Sequence, residues 1–314
     1  MTCDRAGLDA ALESATPGRP SQVLTPGHGV VAGASASGDT MPADMVADKA
    51  SAENFPVALR FLPATYRDHL MAVYVFARTV DDVGDLAPPD QRGRLLTELE
   101  EDVKRLYGGV PTHPAVIGLA DVVADCGIGI QPFLDLIRAN QQDQIVSRYE
   151  TFDDLLGYCT LSANPVGRIV LQVFGCYTPQ RERLSDDVCS ALQLAEHWQD
   201  VAEDFRAGRI YIPAVDMRRY GCSEQDLAGS VTPPQLRRLM AFEVERARAL
   251  LNKGAALVGT LRGAPRVAIA GYVAGGRAAL AAIAAADFDV LTSTPRPRKA
   301  RLVAELGRTY VRGR

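Results

Sequence analysis

Basic residues do not outnumber acidic ones in this 314-residue chain: 34 Lys and Arg stand against 38 Asp and Glu, a net charge of −4. That balance speaks against nucleic-acid binding, which leaves a basic footprint. Histidine is scarce, at four residues, and the six cysteines (Cys3, Cys126, Cys159, Cys176, Cys189 and Cys222) are scattered. With no C-x-x-C and no Cys/His cluster, a zinc site is not expected. Dispersed thiols suit a reduced, cytoplasmic protein better than a disulfide framework. No basic stretch followed by an apolar core opens the chain, so no secretory signal is expected. The longest apolar run, "GYVAGGRAALAAIAAADF", is broken by Arg277 and reads as too weak for a membrane span. A G-x-G-x-x-G in a strand–turn–helix setting and a P-loop are both lacking. Alternating apolar/polar runs are rare, which argues against a sheet.

What remains is a helical protein. Residues 1–48, rich in Gly, Ser, Ala, Pro and Thr, read as a disordered leader. Residues 49–292 read as one all-α domain of about ten helices, and 293–314 as a basic tail. Helix starts are marked by "TFDD" (Thr151 and Asp154), "SEQD" (Ser223 and Asp226) and "TPPQ", with Thr232 as N-cap and Pro233 in the first helical position. Breaks are expected at Pro63, Pro88-Pro89, Gly108-Gly109, Pro179, Pro213 and Gly263-Pro265.

Two acidic stretches stand out against the apolar helices that carry them. "FARTVDDVGDLAP" crowds Asp81, Asp82 and Asp85 behind the apolar "MAVYVFA". "LQLAEHWQDVAEDFRAGRIYIP" holds Asp200 and Asp204. Spacing of four puts two carboxylates on one helix face, where like charges repel. A solvated surface would tolerate one such pair. Two pairs on largely buried helices suggest instead a site for a hard cation, and Mg²⁺ binds through a few carboxylates together with phosphate oxygens. Arg78, Arg206 and Arg209 lie beside them, suited to bidentate phosphate contacts or to pairing with the same carboxylates.

"YVFARTVDDVGD" and "WQDVAEDFRAGRIYIP" resemble the two aspartate-rich motifs of the squalene/phytoene synthase family, and the likeness runs from about Glu53 to Leu291. "ENFPVALRFLP", "YCTLSANPVGRIVL" and "HWQDV" resemble its hydroxysqualene synthase branch. The resemblance implies an all-α isoprenoid synthase helical bundle with a central cavity. It implies that Asp81, Asp82, Asp85, Asp200 and Asp204 hold Mg²⁺, and that Arg78, Arg209 and Tyr211 contact a substrate diphosphate. Tyr74, Tyr149, Gln193 and Asp143 would flank the cavity, with Tyr158 and Asn164 as further substrate contacts. Glu196 stands where the family usually has a metal-binding asparagine, adding a charge.

The implied activity converts presqualene diphosphate to hydroxysqualene, with water ending the cation and no NADPH expected. A condensing prenyltransferase is the alternative, and a non-catalytic helical scaffold is a reading of another class. Tyr74, Phe76, Phe133, Tyr158, Phe174 and Tyr272 are candidates to face the cation or simply to pack. Ala163 and Gly167 either leave room for a long tail or allow close helix contact, and His197 either moves a proton or packs. Partners implied are an isoprenoid diphosphate, other squalene-pathway enzymes and, through the basic "TPRPRKARLVAELGRTYVRGR", the inner face of the membrane.

Overall fold

The computed structural model describes residues 62–297 and 299–312. The proposed leader and most of "ENFPVALRFLP" lie outside the described residues. Among those described, fifteen helices follow one another, and the one β-type contact is an isolated bridge between Arg148 and Ile210. The all-α expectation holds. The helix count exceeds ten because several single-turn helices interrupt the connections, and short helices carry little periodicity to read.

The helices begin where backbone chemistry allows. Helix α1 (Ala64–Leu86) starts after Pro63, and α2 (Pro89–Gly108) has Pro88 as its cap. Proline is tolerated there because the first N–H groups have no partner in the helix. Short α3 (Pro114–Ile117) and α4 (Ala120–Cys126) lead to α5 (Gln131–Asp143). Helix α6 (Phe152–Ser162) has the expected capping box: Thr151 accepts from the Asp154 backbone while the Asp154 carboxylate accepts from Thr151. Helix α7 (Asn164–Val173) follows almost without a break, and α8 (Pro179–Gln199) is capped by Thr178. Then come α9 (Val201–Arg206), α10 (Ala214–Tyr220) and α11 (Glu224–Leu227), the last with the Ser223–Asp226 box.

The chain closes with α12 (Pro234–Gly254), α13 (Leu257–Thr260), α14 (Gly263–Ala285) and α15 (Lys299–Arg312). One cap differs from expectation. Helix α12 starts at Pro234 with Pro233 as its cap. The Thr232 hydroxyl is used elsewhere: it donates to Asp289 at 2.7 Å and accepts from the backbones of Val290 and Leu291. A tertiary partner outcompetes the local cap.

Helices α8, α12 and α14 pack together as the centre of the fold. Trp198, Leu194, Leu236, Leu251 and Val273 are fully buried there. Helix α14 contains the long Ala/Gly run. Taken whole, its 23 residues are long and apolar enough to cross a membrane, against the expectation from Arg277, but 72% of its apolar window is buried in protein. Its small side chains let neighbours approach on several faces. Helix α15, from the basic C-terminal segment, packs along α14: Arg277 donates to Thr309 at 2.7 Å and Arg266 to the Tyr310 carbonyl at 2.9 Å.

One buried ionic knot joins α10 to α12. Glu243 is 0% exposed, and Arg246 reaches Asp216 at 2.6 Å and Glu243 at 3.3 Å. The same guanidinium lies 3.7 Å from the Phe152 ring. Burial pushes Glu243 up to about 8, with Asp216 adding to the rise and Arg246 opposing it. A carboxyl raised on folding stabilises below its ordinary range and loses that contribution as pH rises through the folded value. Glu243→Gln removes the loss. Its melting temperature relative to the parent should therefore climb by about 5 °C between pH 5 and pH 8.5. Thermal melts followed by circular dichroism will show a widening gap; a gap that stays flat or narrows refutes the assignment.

Candidate active site

The two acidic motifs come together, with α5 and α6 beside them. On α1, Arg78 pairs with Asp82 at 2.6 Å. Asp85, one helical turn on from Asp81, is bridged by Arg209 at 2.6 Å. Arg209 follows α9, after the turn at Gly208, so one ion pair closes the distance between the motifs. Asp81 opens onto a cavity yet is ringed by protein, and poor solvation pushes its carboxyl up to about 6 despite Asn140 and Arg78. Asn140, on α5, donates to Asp81 at 3.0 Å. The segment after α9 enters by backbone bonding, with the Ile210 amide donating to the Ser147 carbonyl.

The second motif is not one straight helix. Helix α8 stops at Gln199, Asp200 takes φ −103° and ψ 17°, and α9 begins at Val201. Asp200 sits at the bend, yet the Asp204 amide still donates to the Asp200 carbonyl at 2.8 Å, so the two carboxylates stay one turn apart. Burial, then the nearby Glu203 and Asp204, push its carboxyl up to about 7. Asp204 approaches His197 at 3.8 Å.

Behind the carboxylates lies an aromatic stack. His197 and Tyr211 stack at 3.6 Å, and Tyr149 stacks on Tyr211 at 5.8 Å. Tyr158 leans against all three and donates to Asp143 at 2.7 Å. Burial raises Asp143 to about 6. Buried atoms with no hydrogen-bond partner in this region include Nε of Arg78, a donor, Oδ1 of Asp143, an acceptor, and Oγ of Ser162 at the cavity. Such orphans are costly and mark places where a bound group fits.

The cavity itself is about 250 Å³ and mostly apolar, framed by α1, α7, α8 and α14. Asp81, Gln193 and Glu196 make one polar part of its lining, while Leu70, Val188 and Ile269 line it among the apolar residues. Tyr74 and Tyr272 face it; Phe76 and Phe133 instead pack edge-to-face at 5.4 Å in the core, and Phe174 does so with Tyr66. Gly167 lines the cavity and also permits close packing, since a Cβ there would lie 2.4 Å from Ser185 Oγ. Asn164 stands apart from the other sequence candidates. It is 3% exposed, accepts from Ser190 at 2.9 Å, and ties α7 to α8 rather than lining the cavity.

Sequence reading missed Asn140 and Gly84. Asn140 lies one turn before Asp143 on the same helix, a signal that was open to it. Gly84, inside the first motif, is legible only in three dimensions: a Cβ there would lie 2.3 Å from Oδ1 of Asn140.

A family model for squalene/phytoene synthase matches residues 48–303. The chain belongs to the squalene/phytoene synthase family. It is 33% identical over 213 residues to the hydroxysqualene synthase of Rhodopseudomonas palustris, covering 67% of this chain and 72% of that one. It is 32% identical over 212 residues to the 15-cis-phytoene synthase of Synechococcus elongatus, covering 63% and 68%. Among solved structures, squalene synthase HpnC from Alicyclobacillus acidocaldarius shares 40% identity, with a TM-score of 0.71 over 78% of this chain and 94% of that one. A dehydrosqualene synthase at 24% identity and TM-score 0.77 shares the fold. The protein is thus an enzyme of the squalene/phytoene synthase class, a class that acts on isoprenoid diphosphates.

Gly84 supplies a test of the first-motif geometry. Gly84→Ala should push Asn140 off Asp81, lowering turnover about tenfold with a loss of about 3 °C in melting temperature. Steady-state kinetics beside thermal melts check it; unchanged turnover removes Asn140 from the site.

Proposed function

We propose that this enzyme converts presqualene diphosphate to hydroxysqualene, releasing diphosphate. The observation that carries the reading is an apolar cavity whose acidic lining, Asp81 and Glu196, comes from the two acidic motifs, with Gln193 beside it. An amphiphile with a charged head and a long hydrocarbon body matches that division. The likeness to the hydroxysqualene synthase of R. palustris favours this member of the class.

Among the described residues, no three carboxylate, histidine or cysteine side chains converge tightly enough to enclose a metal ion by themselves. The donors nevertheless fit Mg²⁺ arriving with its substrate. They are hard oxygens, and the ion keeps room for phosphate ligands. Asp81, Asp82, Asp85, Glu196, Asp200 and Asp204 would share it. When bound, Mg²⁺ would neutralise the leaving diphosphate.

The chain's own residues do the rest. Arg78, with its unpartnered Nε, and Arg209 would hold the diphosphate oxygens. Tyr211 and Tyr149, locked by stacking, would fix the position of the head group. When the C–O bond breaks, its electron pair leaves with diphosphate. The cyclopropylcarbinyl cation then rearranges among apolar walls that limit early quenching, with the Tyr74 and Tyr272 rings able to stabilise positive charge. Water adds to the rearranged cation and loses a proton, so no hydride donor enters. In this reading the protein works in the cytoplasm, taking its substrate at the inner membrane face.

Incubation of the purified protein with presqualene diphosphate and Mg²⁺, without NADPH, should yield hydroxysqualene by gas chromatography–mass spectrometry. A second reading, condensation of two prenyl diphosphates, has the similarity to phytoene synthases in its favour. Consumption of farnesyl diphosphate with presqualene diphosphate untouched would select it. Asp81→Ala and Asp200→Ala should each cut turnover at least ~10³-fold while leaving the helical circular-dichroism signal intact. Wild-type rates in either variant would remove the acidic pair from the chemistry.

A further inference from the structure

The segment between α14 and α15 is not a loose connection. It is tied down at its start by Thr232, whose hydroxyl serves Asp289, Val290 and Leu291 together. Asp289 in turn bonds Arg237 at 3.0 Å and the Thr292 hydroxyl at 2.9 Å. Although burial opposes it, these bonds hold the Asp289 carboxyl down to about 2. Beyond this anchor the chain crosses the second acidic motif. The Gln199 side-chain amide donates to the carbonyl of Pro295, which is itself buried. Thr294 donates to Glu203 at 3.3 Å. Past the crossing, α15 docks on α14. The strap is therefore fixed before, at and after its contact with the residues flanking Asp200.

This placement has an electrostatic consequence. On the first motif, Asp82 and Asp85 each meet an arginine at 2.6 Å. Asp200 instead has two acidic neighbours in sequence, Glu203 and Asp204, which oppose its charge. Arg296 follows the clamped Pro295, whose carbonyl takes the side-chain amide of Gln199, the residue just before Asp200, so the strap brings a cation to this end of the motif. Arg296 is exposed, so its guanidinium can reach an anion at the same place.

We propose that the strap Thr292–Pro297 is a wall of the active site and that Arg296 is a positioning residue, supplying positive charge on the Asp200 side for the anionic head of the substrate. Arg78 and Arg209 serve the Asp82 and Asp85 side, so the head group is held between cations from three parts of the chain. The inference rests on the diphosphate-site reading above, and it adds a part of the chain that neither acidic motif contains.

The test uses the full-length protein, inorganic diphosphate with Mg²⁺, and isothermal titration calorimetry. Arg296→Ala should weaken binding about fivefold, the size of one partly exposed ion contact. Arg296→Lys should restore it to within about twofold, and affinity should fall less steeply with added salt in the alanine variant than in the parent. Both variants should melt within about 2 °C of the parent, since the side chain is exposed. Parent-like affinity in Arg296→Ala, or a lysine variant as weak as alanine, overturns the role of Arg296 while leaving the diphosphate site intact. A parent that binds no diphosphate at all overturns the diphosphate site and the strap together.

Discussion

Carboxylates that repel one another have to be held together at the ends of apolar helices, and much of the site follows from how that is done. Asp81, Asp82 and Asp85 crowd one end of α1, and Asp200 and Asp204 sit at the bend between α8 and α9. Arginines provide the counter-charge: Arg78 on Asp82, and Arg209 on Asp85 from the other side of the site. The Arg209–Asp85 pair is only partly buried, so its contribution to stability is modest. Its larger effect is geometric, because it fixes the end of α9 against α1 and so sets the two motifs face to face.

The rest of the site is arranged around that fixed distance. The turn after Arg209 delivers Tyr211 into a stack with His197, Tyr149 and Tyr158, and Tyr158 reaches Asp143. Rings with defined contacts have little freedom to lose on binding. The helices that carry the carboxylates also frame the apolar cavity, because each presents its greasy face inward while its charged end opens at the cavity lining. One construction thus joins a polar head-group site to a hydrocarbon-sized space.

Much of this was legible in the primary structure. The all-α character followed from scarce alternation and frequent capping signals, and the family followed from two long motifs whose residues are local in sequence. The boxes at Thr151 and Ser223 needed only neighbours three residues away. The cap at Thr232 was misplaced because its hydroxyl answers to Asp289, Val290 and Leu291, which are distant in the chain. Asn164 looked like a site residue by its motif, but its partner Ser190 turns it toward a helix contact.

Short-range physics is readable from the chain itself: proline at helix starts, carboxylates spaced by one turn, apolar faces of defined period. By itself the sequence determined the all-α class, most of the helix starts and the two acidic motifs. Only the tertiary structure decided how those side chains meet. It paired Arg209 with Asp85, bent the second motif at Asp200, set Gly84 against Asn140 and laid Thr294 and Pro295 across α8 and α9. Each of these depends on contact between segments far apart in the chain, and no local spacing encodes a distance that packing alone creates.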